Sequence, residues 1–321
     1  MTILMFKGNP QPIGVLSLNP AIDVTYEIPH LLENQKIHAS STRFDPGGDG
    51  INVGRALKRL ETAAQNYCVT AGEIGQLLQR LLAGQLDGTD FEEVAGETRI
   101  NGTLIEQSPL VQYEVSGIGL EIPPSQINEL LERFVDLSAN GFGVLTGSLQ
   151  QNLPSMLYGD LTQRIVERGG RAAVDSHDEA LRHAINAQPF LIKPNRYELE
   201  TLLDRQLESI EVVASEARAL QRRGVEYICV SLGSDGALLT GPDNTNYIAA
   251  PAVVVRSTVG AGDSMVAALV AAFAHGAIAQ EALRLGVACA TGTVGQPGTE
   301  LFFAADIDHY IDNIAVRYLD I

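Results

Sequence analysis

Apolar residues along this chain follow two spacings that alternate. Short runs of consecutive apolar residues, such as residues 13–18, are typical of buried strands, whereas apolar residues three or four positions apart, as in residues 51–60, predict helices with one buried face. The strands predicted in this way are residues 13–18, 66–70, 142–146, 171–175, 190–192 and 227–232. The predicted helices are residues 51–60, 74–82, 153–168, 179–185, 198–203 and 212–223, with a further one that begins at residue 123. This order predicts an α/β fold with a mostly parallel sheet and helices on both faces.

Two stretches, residues 19–44 and 98–115, break the alternation with extended patterns and no helix. Residues 103–106 and 111–115 are predicted to pair as a hairpin joined through residues 107–109. We expect these stretches to form a small separate sheet, placed as a lid over the active cleft or against a second subunit. The chain has no internal repeat, low-complexity tract or charged linker, so residues 1–321 are predicted to form a single domain.

The composition limits the classes of function. With 39 acidic and 22 basic residues, the formal net charge is −17, which disfavours non-specific binding to nucleic acid or to anionic membranes. The three cysteines have apolar neighbours and no metal-ligand spacing, so they are predicted to be buried free thiols in a reducing compartment. Because no basic and apolar leader starts the chain and no apolar run approaches the ~18 residues of a membrane span, we expect a cytoplasmic protein.

The most informative motif is the turn Gly260-Ala261-Gly262, which Asp263 follows. It lies between the β-branched run 253–255 and the apolar segment 266–273, a pattern that predicts a strand, a turn and the start of a helix. A helix start carries unpaired backbone N–H groups and the positive end of the helix dipole, and small residues let an anion come close. The turn is therefore a predicted anion site.

Asp263 is unusual there, because its carboxylate would repel a bound phosphate. One explanation is that it accepts the proton of a reactive hydroxyl while the backbone amides hold the negative charge that develops. The alternative is an ordinary N-terminal helix cap, a position that aspartate favours.

Two other polar groups suit a polyol. Residues 46–52 place three glycines and Asn52 at a helix start, where Asn52 can both donate and accept hydrogen bonds; the alternative is a flexible turn with a helix cap. Asp23 follows the first strand, at the edge where open α/β folds bind ligands, and its carboxylate suits two sugar hydroxyls.

Two further turns follow buried strands. Asn195 and Glu198 offer oxygen ligands that suit hydrated Mg²⁺, although the same pair also makes a common capping pattern. The turn of residues 231–237 either packs against a nucleotide or only joins a hairpin. The sequence has no P-loop, no dinucleotide-binding glycine fingerprint after the first strand and no nucleophile elbow, and its six histidines lack metal-type pairing.

These motifs together resemble the PfkB, or ribokinase-like, carbohydrate kinase family over nearly the whole chain. Gly47-Gly48 with Asn52, then Lys193-Pro194-Asn195 with Glu198, then residues 231–233 and 260–263 occur in the family's order. Residues 146–149, 174–176 and 257–265 look like its hexose-phosphate kinase branch of minor-type 6-phosphofructokinases, 1-phosphofructokinases and tagatose-6-phosphate kinases. The resemblance implies a three-layer sandwich with a mostly parallel central sheet and a small β-sheet lid.

The resemblance also implies a reaction: ATP-dependent phosphorylation of a ketohexose phosphate (fructose 6-phosphate, fructose 1-phosphate or tagatose 6-phosphate) with Mg²⁺, in a homodimer formed through the lid. Asp263 would be the general base, and the amides of Gly260, Ala261 and Gly262 would stabilise the transferring phosphoryl group. Asn195 and Glu198 would organise Mg²⁺. The residues implied to contact ATP are Lys193, Ser231, Gly233, Gly236 and Thr258. Those implied to contact the sugar phosphate are Asp23, Lys36, Gly47, Gly48, Asn52, Arg99 and Ser148, with Lys36, Arg99 and Ser148 at its phosphate.

Asp49 departs from the family, which commonly has lysine, or in some members glycine, at this position. A carboxylate facing a sugar phosphate would weaken binding by about 1 kcal/mol at 4 Å in water, and by more where solvent is excluded. Either Asp49 points away from the site as a helix-start residue, or the substrate is an uncharged ketose or another polyol. The alternative functions are therefore a kinase of a neutral sugar or nucleoside, and a catalytically silent sugar-phosphate-binding protein of the same fold.

Overall fold

Two β-sheets organise the computed structural model, which describes residues 10–321. Within this range the large sheet has ten strands and the small sheet has four. The strands, in chain order, are β1 (Ile13–Ser17), β2 (Ala21–Ile28), β3 (Ser41–Gly47), β4 (Gln65–Ala71), β5 (Gly88–Val94), β6 (Arg99–Gln107), β7 (Leu110–Val115), β8 (Phe142–Thr146), β9 (Arg171–Asp175), β10 (Leu191–Ile192), β11 (Tyr227–Ser231), β12 (Ala237–Thr240), β13 (Thr245–Ile248) and β14 (Arg317–Leu319). The helices are α1 (Asp49–Arg59), α2 (Gly72–Leu82), α3 (Pro124–Ser138), α4 (Leu157–Glu167), α5 (Asp178–Asn186), α6 (Arg196–Leu203), α7 (Ile210–Arg222), α8 (Ala261–Ala274), α9 (Ala279–Val294) and α10 (Ala304–Ile311).

The large sheet has the order β14-β13-β12-β11-β10-β9-β8-β1-β4-β5. The strands from β11 through β5 pair in parallel, and β12, β13 and β14 extend the sheet with antiparallel pairs. β1 lies between β8 and β4, with Val15 beside Val144 and Asn66, and every residue of β1 is buried. Strands buried on both faces are continuous apolar runs, which is why the sequence revealed them.

Helices cover both faces of this sheet, so the main body has three layers. Val15 and Leu16, neighbours in β1, belong to separate apolar clusters on opposite faces. The helices α1, α8 and α9 pack together on the Val15 face. α8 is buried along its length from Asp263 to Ala274, as expected for a helix that is apolar all round. The predicted α/β sandwich is confirmed.

The small sheet, in the order β3-β2-β6-β7, draws its strands from the two stretches that lack helices. β6 and β7 form the predicted antiparallel hairpin, and β2 joins β6 in parallel. All three cysteines are buried and unpaired, as predicted. Among residues 10–321, no helix combines the length and the apolar composition that crossing a membrane requires.

The strand predicted at residues 253–255 is wrong. This segment is irregular, with Val254 82% exposed. The edge of β13 is already paired with β14, so the valines have no strand to join and instead lie beside the cavity described below. A β-branched run indicates extended backbone, but a strand also needs a partner.

Candidate active site

The candidate site lies at the carboxyl ends of the parallel strands, where open α/β sheets bind ligands. β1 and β8 end at Ser17 and Thr146, which line a small polar pocket. β11 ends at Ser231, which lines a larger apolar cavity. The two pockets and the first turn of α8 together make up the site.

Asp263 lies in the first turn of α8 and is almost completely buried, with 7% of its surface exposed. Its Oδ2 accepts a hydrogen bond of 2.9 Å from Nδ2 of Asn52, which lies on α1. Burial, reinforced by the carboxylates of Asp49 and Asp175, raises the pKa of Asp263 well above its ordinary value. The Asn52 hydrogen bond and the charge of Lys193 oppose this rise. A carboxylate with a raised pKa is a more effective proton acceptor, so the site holds a candidate general base.

The turn before α8 keeps the backbone accessible. Gly260 is the N-cap residue with φ 78°, a left-handed conformation that favours glycine, and a Cβ there would lie 2.8 Å from Leu301 Cδ2. A Cβ at Gly262 would lie 3.2 Å from Lys193 Nζ, so the lysine amine lies against this turn. The first amides of a helix have no partner within it. The amide of Ala261 donates to the carbonyl oxygen of Thr258 at 3.4 Å. The remaining amides of the turn and the amine together make a candidate anion site next to Asp263.

Lys193 follows β10 and is buried, with its Nζ 3.2 Å from Asp175 Oδ1. Burial alone would lower the pKa of Lys193, but the carboxylates of Asp175 and Glu198 outweigh burial and raise it, so the amine is held protonated. Burial raises the pKa of Asp175 to about 6, even though Lys193 opposes the rise. The pair thus holds a protonated amine beside the first turn of α8.

A cavity of about 560 Å³ opens beside the first turn of α8. Small-molecule sites typically have about 300–1,000 Å³ and a mostly apolar lining with a few polar groups, which suits a nucleoside. Its apolar lining includes Val253, Val255, Met265, Val287 and Val294. The lining also includes these residues predicted for ATP, for the anion site or for the metal: Ser231, Gly233, Gly236, Thr258, Ala261, Gly262 and Asn195.

The turn from β11 to β12 explains two of these glycines. Gly233 and Gly236 have φ 61° and 101°, and a Cβ at Gly236 would lie 1.9 Å from the carbonyl oxygen of Ile248. Only glycine fits that close approach of two backbones. The turn joins β11 and β12 as a hairpin and also lines the cavity, so its packing against a nucleotide stays a prediction.

Asn195 and Glu198 form a capping box at the start of α6. Asn195 Oδ1 accepts from the amide of Glu198 at 2.8 Å, and Glu198 Oε2 accepts from the amide of Asn195 at 2.8 Å. Among residues 10–321, no cluster of three or more His, Cys, Asp or Glu side chains could hold a metal by itself. Mg²⁺ commonly needs only one or two carboxylates, since substrate phosphates and waters complete its shell. The donor set is therefore compatible with a nucleotide-bound cation.

Asp23 lies on β2, and its Oδ1 accepts a hydrogen bond of 2.8 Å from Asn101 Nδ2. A Cβ at Gly47 would lie 2.2 Å from Asp23 Oδ2, and Gly48, with φ 99°, would carry its Cβ 2.9 Å from Pro20 Cα. The two glycines therefore let β3 and α1 pack directly against the end of β2. Burial raises the pKa of Asp23 to about 6 despite the Asn101 hydrogen bond.

The polar pocket holds Arg99, Asn19, Ser148 and also Asp49. Arg99 Nη2 and Nε donate to the carbonyl oxygen of Asn19 at 2.9 and 3.2 Å, and Asn19 Nδ2 donates to Ser148 Oγ at 3.0 Å. Asp49 opens α1, and its Oδ2 would lie 2.9 Å from a Cβ at Gly147. Burial raises the pKa of Asp49, whereas Arg99 opposes the rise. The interpretation that Asp49 points away from the site is wrong.

Lys36 is not brought to this pocket in the described structure. It is exposed in the loop between β2 and β3 and does not line either pocket. Sequence reasoning also missed two residues of the site, Asp175 and Asn101. Asp175 ends a predicted strand beside the site, and that position was the available signal. Asn101 could not be found, because only the pairing of β2 with β6 places it beside Asp23.

A buried carboxylate in the first turn of a helix, next to a nucleoside-sized cavity and a polar pocket, is the arrangement expected of a sugar kinase. The sequence model of the family described as "pfkB family carbohydrate kinase" matches residues 14–304 of this chain. The chain is 32% identical over 292 residues to a 1-phosphofructokinase of Bacillus subtilis, covering 90% of this chain and 95% of that protein. It is 31% identical over 291 residues to the ATP-dependent 6-phosphofructokinase isozyme 2 of Escherichia coli, covering 90% and 94%.

The fold agrees with these relatives. The crystal structure of phosphofructokinase-2 from Escherichia coli in complex with substrates and products superimposes with a TM-score of 0.90 at 30% identity, covering 94% of this chain and 99% of that one. The chain therefore belongs to the pfkB family of carbohydrate kinases. It is a phosphotransferase of a family that uses ATP, generally with a divalent metal ion.

Proposed function

We propose that this protein transfers the γ-phosphoryl group of ATP to a hydroxyl of a ketohexose phosphate. The observation that carries the proposal is Asp263, buried and hydrogen-bonded to Asn52, in the helix turn whose Ala261 and Gly262 line the nucleoside-sized cavity. The names of the relatives support the substrate class, since they act on phosphorylated fructose. Arg99, in the polar pocket, supplies the cation that a phosphorylated sugar requires.

The proposal assigns a group to each step of the reaction. Asp263 removes the proton of the attacking hydroxyl, and Asn52 orients the carboxylate. The amides of Gly260, Ala261 and Gly262, together with Lys193, stabilise the charge on the transferring group. Phosphoryl transfer depends mainly on positioning and charge stabilisation, so these fixed groups suffice for most of the catalysis.

Mg²⁺ is the cation that best fits the donors. Glu198 and Asn195 would hold it through water at the edge of the cavity, where Asn195 is part of the lining. The bound cation would neutralise the charge of the ATP phosphates.

The test is ATP consumption with Mg²⁺ over a panel of acceptors: fructose 6-phosphate, fructose 1-phosphate, tagatose 6-phosphate, fructose, ribose and adenosine. Turnover of one sugar phosphate supports the proposal and identifies the substrate. Turnover of a neutral acceptor alone supports a kinase of a neutral sugar or nucleoside. The carboxylate of Asp49 in the polar pocket favours this second candidate function. Tight sugar-phosphate binding without turnover indicates a silent binding protein.

Arg99 and Asp49 should shift the KM for a sugar phosphate in opposite directions. We expect Arg99→Ala to raise it about tenfold or more, because a charge-assisted hydrogen bond is worth about 1.5–3 kcal/mol. Asp49→Asn should lower it about fivefold, because it removes a like-charge repulsion of about 1 kcal/mol. Steady-state kinetics with the matching uncharged ketose is the control, and its KM should change much less. Equal effects on both acceptors would show that neither residue faces the substrate phosphate.

We also propose that the chain forms a homodimer through the small sheet, which then acts as a lid. One face of this sheet carries Asp23, Thr25 and Asn101, toward the site. The side chains on the opposite face include exposed apolar ones, namely Tyr26, Phe44, Ile100, Tyr113 and Val115. Exposed apolar side chains grouped on one face are typical of an interface, and a two-fold dimer would bring the same face of both subunits together.

Phe44→Glu should weaken or abolish such a dimer, because it places a charge in an apolar contact. Sedimentation velocity at micromolar concentration measures the effect. Tyr197→Glu is the matched control, since Tyr197 is also an exposed aromatic residue, at 76%, but lies on α6. A monomeric wild type, or a Phe44 variant that dimerises like the control, contradicts the interface.

A further inference from the structure

Arg55 lies on α1, one turn after Asn52, and the proposed mechanism gives it no role. Its side chain is only 3% exposed, and two of its three nitrogens have hydrogen-bond partners. Nε donates to Gln85 Oε1 at 2.8 Å. Nη1 is within hydrogen-bond distance of three oxygens: the carbonyls of Pro46 at 3.4 Å and Thr299 at 3.3 Å, and Asn52 Oδ1 at 3.4 Å.

The contact with Asn52 determines which way its amide faces. A guanidinium can only donate hydrogen bonds, so the atom of Asn52 beside Arg55 must be the carbonyl oxygen. The NH₂ group then points at Asp263, where the distance is 2.9 Å. In the reversed orientation, two donors would face each other at Arg55 and two acceptors would face each other at Asp263. Arg55 thus selects the orientation that the base requires.

Glu300 holds the guanidinium charged and in place. Burial lowers the pKa of Arg55, and the carboxylate of Glu300, 3.8 Å from Nη2, opposes this. Glu300 also pairs with Arg59, one turn further along α1, and with Arg43 on β3 at 2.9 Å. The same carboxylate therefore connects the helix that carries Asn52 to the small sheet.

We propose that Arg55 is a positioning residue, which locks the side-chain amide of Asn52 so that it donates to Asp263 and keeps that carboxylate ionised and aimed at the acceptor hydroxyl. The inference rests on the proposed role of Asp263 as the base. The other charged groups that face Asp263 are Asp49, Asp175 and Lys193, and none of them contacts Arg55 by a hydrogen bond or an ion pair within residues 10–321.

The first test is the pH dependence of kcat for Arg55→Met, with Arg59→Met as matched control. Arg59 lies on the same helix and pairs with the same Glu300, but it does not contact Asn52. We expect Arg55→Met to lower kcat about tenfold and to move the acidic limb upward by about half a pH unit, because a lost hydrogen bond to the carboxylate raises its pKa. KM for ATP should be nearly unchanged. Arg59→Met should lower thermal stability but leave the acidic limb of the kcat–pH profile where it is in the wild type. If that limb lies at the same pH in both variants, the proposal is overturned.

The second test is a double-mutant cycle with Asn52→Ala. If Arg55 acts only through Asn52, then Arg55→Met adds no further loss of kcat in the Asn52→Ala background. Additive losses overturn the role. Should Arg55→Met fail to fold, Arg55→Lys replaces it in both tests, since it keeps the charge but cannot reach the same set of acceptors. Full activity of Asp263→Asn would overturn the proposed function itself, whereas an inactive Asp263→Asn with additive effects overturns only the role of Arg55.

Discussion

Asp263→Asn should lower kcat by about 10³-fold or more, because general bases typically contribute about 10²–10⁴-fold. The amide has the same shape as the carboxylate but cannot take up the proton of the acceptor. ATP and sugar-phosphate binding should persist, since neither pocket loses its lining. Equilibrium binding measured beside steady-state kinetics separates the two effects. A variant that loses binding and turnover in proportion would argue for a structural role.

The pH profile gives an independent check. Burial and two neighbouring carboxylates raise the pKa of Asp263, and the reaction needs the ionised form. Activity of the wild type should therefore fall as the pH drops through that raised pKa, above the usual range of an aspartate. Asp160→Asn is the matched control, an exposed aspartate in the first turn of α4, and its profile should be that of the wild type. An acidic limb at the ordinary aspartate pKa would contradict this assignment.

Lys193→Met should both destabilise the protein and abolish phosphoryl transfer. The substitution leaves Asp175, whose side chain is only 14% exposed, without its ion-pair partner. Breaking a buried pair from one side costs about 3 kcal/mol or more. It also removes the positive charge beside the first turn of α8. Urea denaturation measures the free energy of unfolding, and ATP turnover measures the catalytic loss.

The double variant Asp175→Asn with Lys193→Met separates stability from catalysis. Because Asp175→Asn leaves no unpaired charge at this position, the double variant should recover much of the free energy of unfolding that Lys193→Met alone loses. Turnover should stay low, because the amine that faces the transferring group is still missing. Recovery of both properties together would mean that Lys193 only compensates Asp175.

The parts of the fold that the sequence revealed are those with a continuous physical signature. β8 and β9 match their predicted bounds because all of β8 and the three central residues of β9 are buried and mostly apolar. β5 escaped prediction because it lies at the sheet edge, with half-exposed acidic residues that show no alternation. Residues 253–255 had the composition of a strand and no partner.

In the candidate site, too, local motifs could be predicted and contacts between distant segments could not. Motifs that are local in sequence, such as the turn of residues 260–263 and the capping box of Asn195 and Glu198, could be predicted from spacing alone. The orientation of Asp49 could not be, because it depends on Gly147 and Arg99, which come from distant segments. Lys36 was placed at the site by resemblance only, and the loop that carries it lies away from both pockets in this structure.

The long separation of paired residues has a consequence for synthesis on the ribosome. The Asn52–Asp263 hydrogen bond spans 211 positions and the Arg43–Glu300 bond spans 257. The nascent chain therefore completes β7, and with it all strands of the small sheet, long before Asp263 and Glu300 emerge. A partial chain can present much of the polar pocket, but it contains neither Asp263, the proposed base, nor Glu300, whose carboxylate faces Arg55. Under the proposed mechanism, phosphoryl transfer becomes possible only when almost the whole chain has been made, and truncated products should not consume ATP.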